Sequence, residues 1–191
     1  MANFISTLNN AQQISALYVG YYSRAADPVG FGFWKGVLDS GGLTLEQIAA
    51  DFASQQESRN AYALLNAPAG QPVSVGDASV FVIQIYENIF NRVPDPAGFT
   101  FWRDALVGGF APDQFILAII DGAQGVDRTC LSNKIQAGLY WKDQAAATPG
   151  FTMTINSPER QEAQDTIASV DDTAASRTVA RNRTDAYFAA Y

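Results

Sequence analysis

The stretch RAADPVGFGFWKGVL, Arg24 to Leu38, has a twin in RVPDPAGFTFWRDAL, Arg92 to Leu106. At a constant offset of 68 residues, positions 16–38 and 84–106 agree at nine of 23 places: Tyr18/Tyr86, Arg24/Arg92, Asp27/Asp95, Pro28/Pro96, Gly30/Gly98, Phe31/Phe99, Phe33/Phe101, Trp34/Trp102 and Leu38/Leu106. Unrelated segments of that length would share roughly one, so the chain carries a duplicated supersecondary unit.

Each residue common to both copies has a structural use. Asp27 and Asp95 suit a helix N-cap, where a carboxylate accepts the free N–H groups of the first turn. Pro28 and Pro96 suit the first helical position, which needs no N–H donor. Gly30 and Gly98, one turn in, admit the close approach of another backbone segment. The Phe and Trp side chains are expected to fill the core. Arg24 and Arg92 suit the negative end of the preceding helix and lie within reach of the Asp across the turn. A ligand reading exists beside this one: Trp34 and Trp102 stacking on sugars, Asp27 and Asp95 on hydroxyls or calcium. Calcium wants several oxygens from one loop, and each loop offers one Asp followed by Pro. The motif is therefore read as structural.

Periodicity outside the motif is helical. Ile14, Leu17, Tyr18, Tyr21 and Tyr22 recur at three- and four-residue steps. Ser40-Gly41-Gly42 stops the helix that begins at Asp27, and Thr44 with Gln47 reads as a capping box for the next, with Ile48 and Phe52 inward. NAPAGQPVSVG, residues 66–76, is a loop and the seam between the copies. The β-branched run in SVFVIQIYENIF leaves a helix with some strand character. VDRTCLSNKIQAGLYWKDQAAA reads as one long helix, Ser157-Pro158 opens another, and Asp171 or Asp172 caps the last. These signs predict an all-α, single-domain, multi-helix bundle of about ten helices. It comprises two repeated units, about 10–65 and 76–125, and C-terminal helices over about 126–191.

Composition narrows function. The 191-residue chain has no histidine, one cysteine and a net charge of −7. The missing histidine removes Ser-His-Asp and Cys-His triads and the commonest general base. A single cysteine excludes an internal disulfide and a Cys-rich zinc site, and Cys130 reads as a small buried hydrophobe. There is no phosphate loop and no nucleophile elbow. An acidic surface argues against nucleic acid. No run is apolar enough for transmembrane insertion, and the start lacks the basic and apolar regions of an ordinary signal peptide. The expectation is a protein that is not an enzyme.

Candidate ligand contacts are few. Adjacent Tyr140 and Trp141 point different ways on a helix, so one is expected at the surface beside Lys142, where it would suit a sugar ring. Arg177 and Arg181, one helical turn apart, form the only local basic patch and suit an anionic glycan. Tyr21 completes the candidate set. DGAQGVDR, with Asp121 and Asp127, reads either as a calcium loop or as an interhelical turn.

The segment LYVGYYSRAADPVGFGFWKGVLDSGGLTLEQIAADFASQQE resembles the DUF4214 domain family, whose pattern runs through Tyr, Arg, Asp, Gly, Trp, Leu and Gly-Gly and is similar to that of phycobilisome linker domains. The tail from Asn133 looks like the segment that follows such repeats. The resemblance implies a type I-secreted RTX or S-layer protein at the bacterial cell surface, exported without an N-terminal signal. The outline is similar to the N-terminal lipopolysaccharide-anchoring region of an S-layer protein. The expected partner is then surface polysaccharide or lipopolysaccharide, with calcium as a candidate bridging ion. The linker similarity implies the alternative, a protein–protein assembly module with a partner protein or with itself.

Overall fold

The computed structural model describes residues 3–67 and 71–191. Both copies of the repeated phrase start a helix at its cap. Asp27 accepts the Gly30 N–H at 2.7 Å and Asp95 accepts that of Gly98 at 2.9 Å. From these caps run α2, Pro28–Asp39, and α6, Pro96–Val107. The helices before them, α1 (Asn10–Tyr22) and α5 (Val75–Phe90), end at Ser23 and Asn91, both left-handed with φ of 52° and 55°. The helices after them are α3, Leu45–Ser54, and α7, Pro112–Asp121. The Thr44–Gln47 capping box opens α3, and Gly41 at φ 68° follows α2. A short α4, Gln56–Ala61, completes the first unit; its counterpart in the second is the first turn of α8, Gly125–Ala147. Then come α9, Pro158–Ala168, and α10, Ala174–Ala190.

The described residues thus hold ten α-helices, two short 3-10 turns and no strand, an all-α bundle as expected. The run from Ser79 to Phe90 is wholly helical. Of the expected seam, residues 68–70 lie outside the described residues, and α5 begins within its last two residues, at Val75. The last helix is capped by Thr173, whose hydroxyl accepts the Ser176 N–H at 3.1 Å. Asp171, one of the two acids expected there, instead accepts from the Thr173 N–H and hydroxyl, both at 2.7 Å, which holds its carboxyl below the usual range.

α1 is the axis of the bundle. Every residue from Ile14 to Tyr22 is buried, because α2, α3, α4, α5, α7 and α8 all pack on it. Phe52 of α3 is the centre of the first unit: the rings of Tyr18, Tyr21, Tyr22 and Trp34 lie 5.0–5.9 Å from it. Such aromatic pairs add about 0.5–1.5 kcal/mol each beyond their buried area. In the second unit Phe115 plays that part, 5.2 Å from both Phe81 and Trp102.

The repeated phrase differs from its expected packing in three ways. Trp34 and Trp102 are half-buried at the core edge, while Phe33 and Phe101 are 61% and 63% exposed, each set edge-on against its neighbouring Trp. The glycine makes room for side chains, not backbone: a Cβ on Gly30 would lie 2.5 Å from the Tyr18 hydroxyl and 2.9 Å from the Asp27 carboxylate. The arginine's principal partner is not the Asp across the turn but a more distant acid, described next.

Candidate functional site

Arg24 leaves the end of α1 and lies over the rings of Tyr18 and Tyr22, 5.1 and 5.3 Å from their centroids. Its Nε donates to Glu57 Oε1 at 2.7 Å and its Nη2 to Oε2 at 3.0 Å, the fork geometry in which Arg–carboxylate pairs are strongest. Asp27, the expected partner, is 3.8 Å away. Arg160 of α9 shares Glu57 at 2.9 Å. The second copy repeats the clamp: Arg92 lies 5.2 Å over Tyr86 and grips Asp127 at 2.7 and 2.6 Å. Sequence reasoning missed Glu57, and read Asp127 as a calcium-loop candidate and not as the partner of Arg92. The signal lay in one acid following each motif Arg by 33 or 35 residues, at the start of the fourth helix of each unit. Both clamps have their charges paired, the first in the interior and the second partly in solvent, with 36% of the Arg92 side chain exposed, so they hold the fold together.

The six expected ligand residues divide. Tyr21 is 0% exposed and its hydroxyl donates to the Asp113 carbonyl at 2.6 Å; it is a core residue. Trp141 is also 0% exposed, its ring 5.5 and 5.3 Å from those of Phe151 and Phe188. Neither presents a surface, which corrects their expected role. Lys142 sits on the other side of α8, its ammonium 4.8 Å over the Phe31 ring and paired with Asp143.

Tyr140, Arg177 and Arg181 converge. α8 presents Gln136 and Tyr140 one turn apart, α10 presents Arg177 and Arg181 one turn apart, and the two rows border an open cleft of about 380 Å³. The Arg181 guanidinium lies 4.5 Å over the Tyr140 ring. Arg177 Nη1 donates to Gln136 Oε1 at 2.6 Å. The Tyr140 hydroxyl donates to Asp185, a bond that raises its pKa. Among the described residues neither Arg177 nor Arg181 forms a salt bridge, whereas Arg183, on another face of α10, pairs with Glu162 and Asp165. Stacking fixes a guanidinium by its face and leaves its in-plane N–H edge free. The cleft therefore offers two oriented cationic forks, suited to a carboxylate or phosphate.

Metal binding has less to stand on. No three His, Cys, Asp or Glu side chains cluster among the described residues. The two acids of DGAQGVDR are spent separately: Asp121 accepts the Ile5 N–H at 3.2 Å and Asp127 holds Arg92. That stretch is an interhelical turn, and the residues present do not fit a calcium ion. No helix among the described residues is long and apolar enough to cross a membrane.

Residues 73–124, which hold α5 to α7, match the model of a domain of unknown function, DUF4214. The match thus falls on the second copy of the repeat. No curated protein matches the chain, and no solved structure does.

Proposed function

We propose that the chain is a non-catalytic binding module of a secreted bacterial surface protein, of S-layer or RTX type. It would attach that protein to the polysaccharide of outer-membrane lipopolysaccharide through the cleft between α8 and α10. What supports this reading is the pair Arg177 and Arg181, oriented by Gln136 and Tyr140 and without a salt bridge among the described residues, on a chain of net charge −7. An acidic protein has a reason to keep two unpaired guanidinium groups together if their counter-ion comes from outside. Uronate or phosphate groups on a surface glycan supply that charge.

The experiment is binding to purified smooth lipopolysaccharide and to its deacylated O-polysaccharide, with calcium and with chelator. The expected result is binding to both preparations, weakened by salt and lost in an Arg177→Ala/Arg181→Ala double variant. Absence of binding in every condition, or binding indifferent to the double substitution, overturns the reading. A second reading, an assembly module that docks a partner protein or itself, draws on Phe33 and Phe101: two repeat-related phenylalanines standing in solvent suit a contact surface.

A further inference from the structure

α8 and α10 run side by side in the same direction. Going up both, Asn133 donates to the Thr173 carbonyl, Gln136 meets Arg177, Tyr140 meets Arg181 and Asp185, and the Trp141 ring lies against Phe188. Gln136 and Tyr140 are four residues apart, as are Arg177 and Arg181, so their contacts form two rungs about 6 Å apart along the helix axes. Each rung fixes one guanidinium by a different device. Arg177 is held by its hydrogen bond of 2.6 Å to Gln136, and Arg181 by the Tyr140 ring 4.5 Å from it. The rest of the cleft is lined by Ala137 and Thr178, both short, and the Thr178 hydroxyl is spent on the Ala174 carbonyl at 3.3 Å. Two forks thus stand a turn apart, each able to take an anion of its own.

Acids bound the row at both ends. One turn beyond Arg181 stands the exposed Asp185, which accepts the Tyr140 hydroxyl. On the rung below Arg177, where Asn133 donates to the Asp171 and Thr173 carbonyls, stand Asp171 and Asp172.

We propose that the cleft reads a pair of carboxylates on neighbouring sugar residues, one to each arginine, flanked by uncharged groups. This rests on reading the cleft as an anion site for polysaccharide. A single uronate engages one fork. A second uronate linked to it reaches the other fork intramolecularly, which raises affinity without a new kind of contact. A third meets an acid at either end of the row, where like charges oppose it. A plain basic patch behaves differently, since its attraction grows with every charge added to the ligand.

The test is isothermal titration of the full chain, at low salt and without calcium, with galacturonate, digalacturonate and trigalacturonate. The dimer is expected to bind at least about tenfold more tightly than the monomer, and the trimer within about twofold of the dimer. Arg177→Gln and Arg181→Gln should each bring the dimer down to the monomer's affinity, and Asp185→Asn should let the trimer bind more tightly than the dimer. All three positions are exposed, so melting temperatures should stay near the parent's, which separates lost recognition from lost folding. The proposal is overturned by a dimer no tighter than the monomer, by a dimer preference that survives either arginine variant, or by affinity that climbs steadily from monomer to trimer in the parent. A trimer unmoved by Asp185→Asn, or no binding of any of the three, overturns it too. O-polysaccharide binding measured beside them keeps the two readings apart. Its absence with the dimer preference intact removes the lipopolysaccharide reading alone, and the converse removes the carboxylate pair alone.

Discussion

Arg24 and Glu57, 33 residues apart, meet through two parallel hydrogen bonds of 2.7 and 3.0 Å, and that pair ties the end of α1 to α4. Through Arg160 it also ties the first unit to α9. Burial alone would push the Arg24 pKa down; the hydrogen bond and charge of Glu57 outweigh it, so the guanidinium stays charged in the interior.

Losing Glu57 is therefore expected to cost much more than losing its counterpart. Glu57→Gln strands two arginines, one of them buried, and should destabilise by about 3 kcal/mol. Asp127→Asn leaves only the more exposed Arg92, and should cost about 1 kcal/mol or less. Urea unfolding of the two variants checks this; equal losses would contradict it.

The repeated glycines should also differ. Alanine is the better helix former by about 1 kcal/mol. At Gly98 a Cβ would meet the nearest atoms, of the exposed Asp95 and of Tyr86, at 3.2 and 3.5 Å, so Gly98→Ala should be close to neutral. At Gly30 it would press on the Tyr18 hydroxyl at 2.5 Å, and Tyr18 is packed between Tyr22 and Phe52. Gly30→Ala should cost about 1–3 kcal/mol. Matching melting temperatures for the two variants would count against this account.

Lys134 gives the fold a pH dependence of unusual sign. Its buried ammonium donates to the Asn88 carbonyl and to Asn91 Oδ1, both at 2.6 Å, and so caps the end of α5 without a carboxylate partner. Burial pulls its pKa down to about 8, from an ordinary value of 10.5. Between those values the unfolded chain binds more protons than the folded one, so stability rises with pH. The contribution is complete above the unfolded value and is lost as pH falls through the folded one. Tyr18, Tyr21, Tyr22 and Tyr62 have pKa values raised by burial, which lowers stability as pH passes their ordinary value near 10. The rise is therefore sought between pH 8 and about 9.5. It should vanish in Lys134→Met, and denaturant midpoints across that range decide it.

Ligand binding should distinguish the two aromatics of LYWKDQ. Tyr140→Ala removes the ring that orients Arg181 and is expected to weaken polysaccharide binding by about threefold to tenfold while leaving stability nearly unchanged. Tyr140→Phe keeps the ring and should bind like the parent. Trp141→Ala should cost about 3–5 kcal/mol of stability instead. Isothermal titration and thermal unfolding of the three variants separate these effects, and a Tyr140→Ala chain that binds as the parent does would remove this residue from the site.

The helices were legible because their signals are local. Asp-Pro caps, the Thr44–Gln47 box and the glycines after α2 act within a few residues, and the duplication fixed the order of the units. What escaped the sequence depends on distant partners. The spacing of Arg24 and Asp27 suggested a local pair, but the fold brings Glu57 closer. Tyr21 and Trp141 looked available because α1 and α8 have several neighbours each, and a helix packed on many sides carries no polar face to mark its orientation. Arg177 and Arg181 were visible as an i,i+4 pair; that Tyr140 would stand opposite them was not, since it follows from how α10 packs on α8.

α8 and α9 close over position 25 of the first copy and leave position 93 of the second open, which gives two equivalent places different tolerances to mutation. At position 25 alanine is wedged under Gly138 and Ala163, and a larger side chain has nowhere to go. At position 93 its twin is already valine, and the open turn has room for more. Substitutions at position 25 should be filtered by packing, whereas those at position 93 answer to whatever the open side of the turn meets in solution. A library randomised at both positions would show the two copies, alike in backbone, accepting different alphabets.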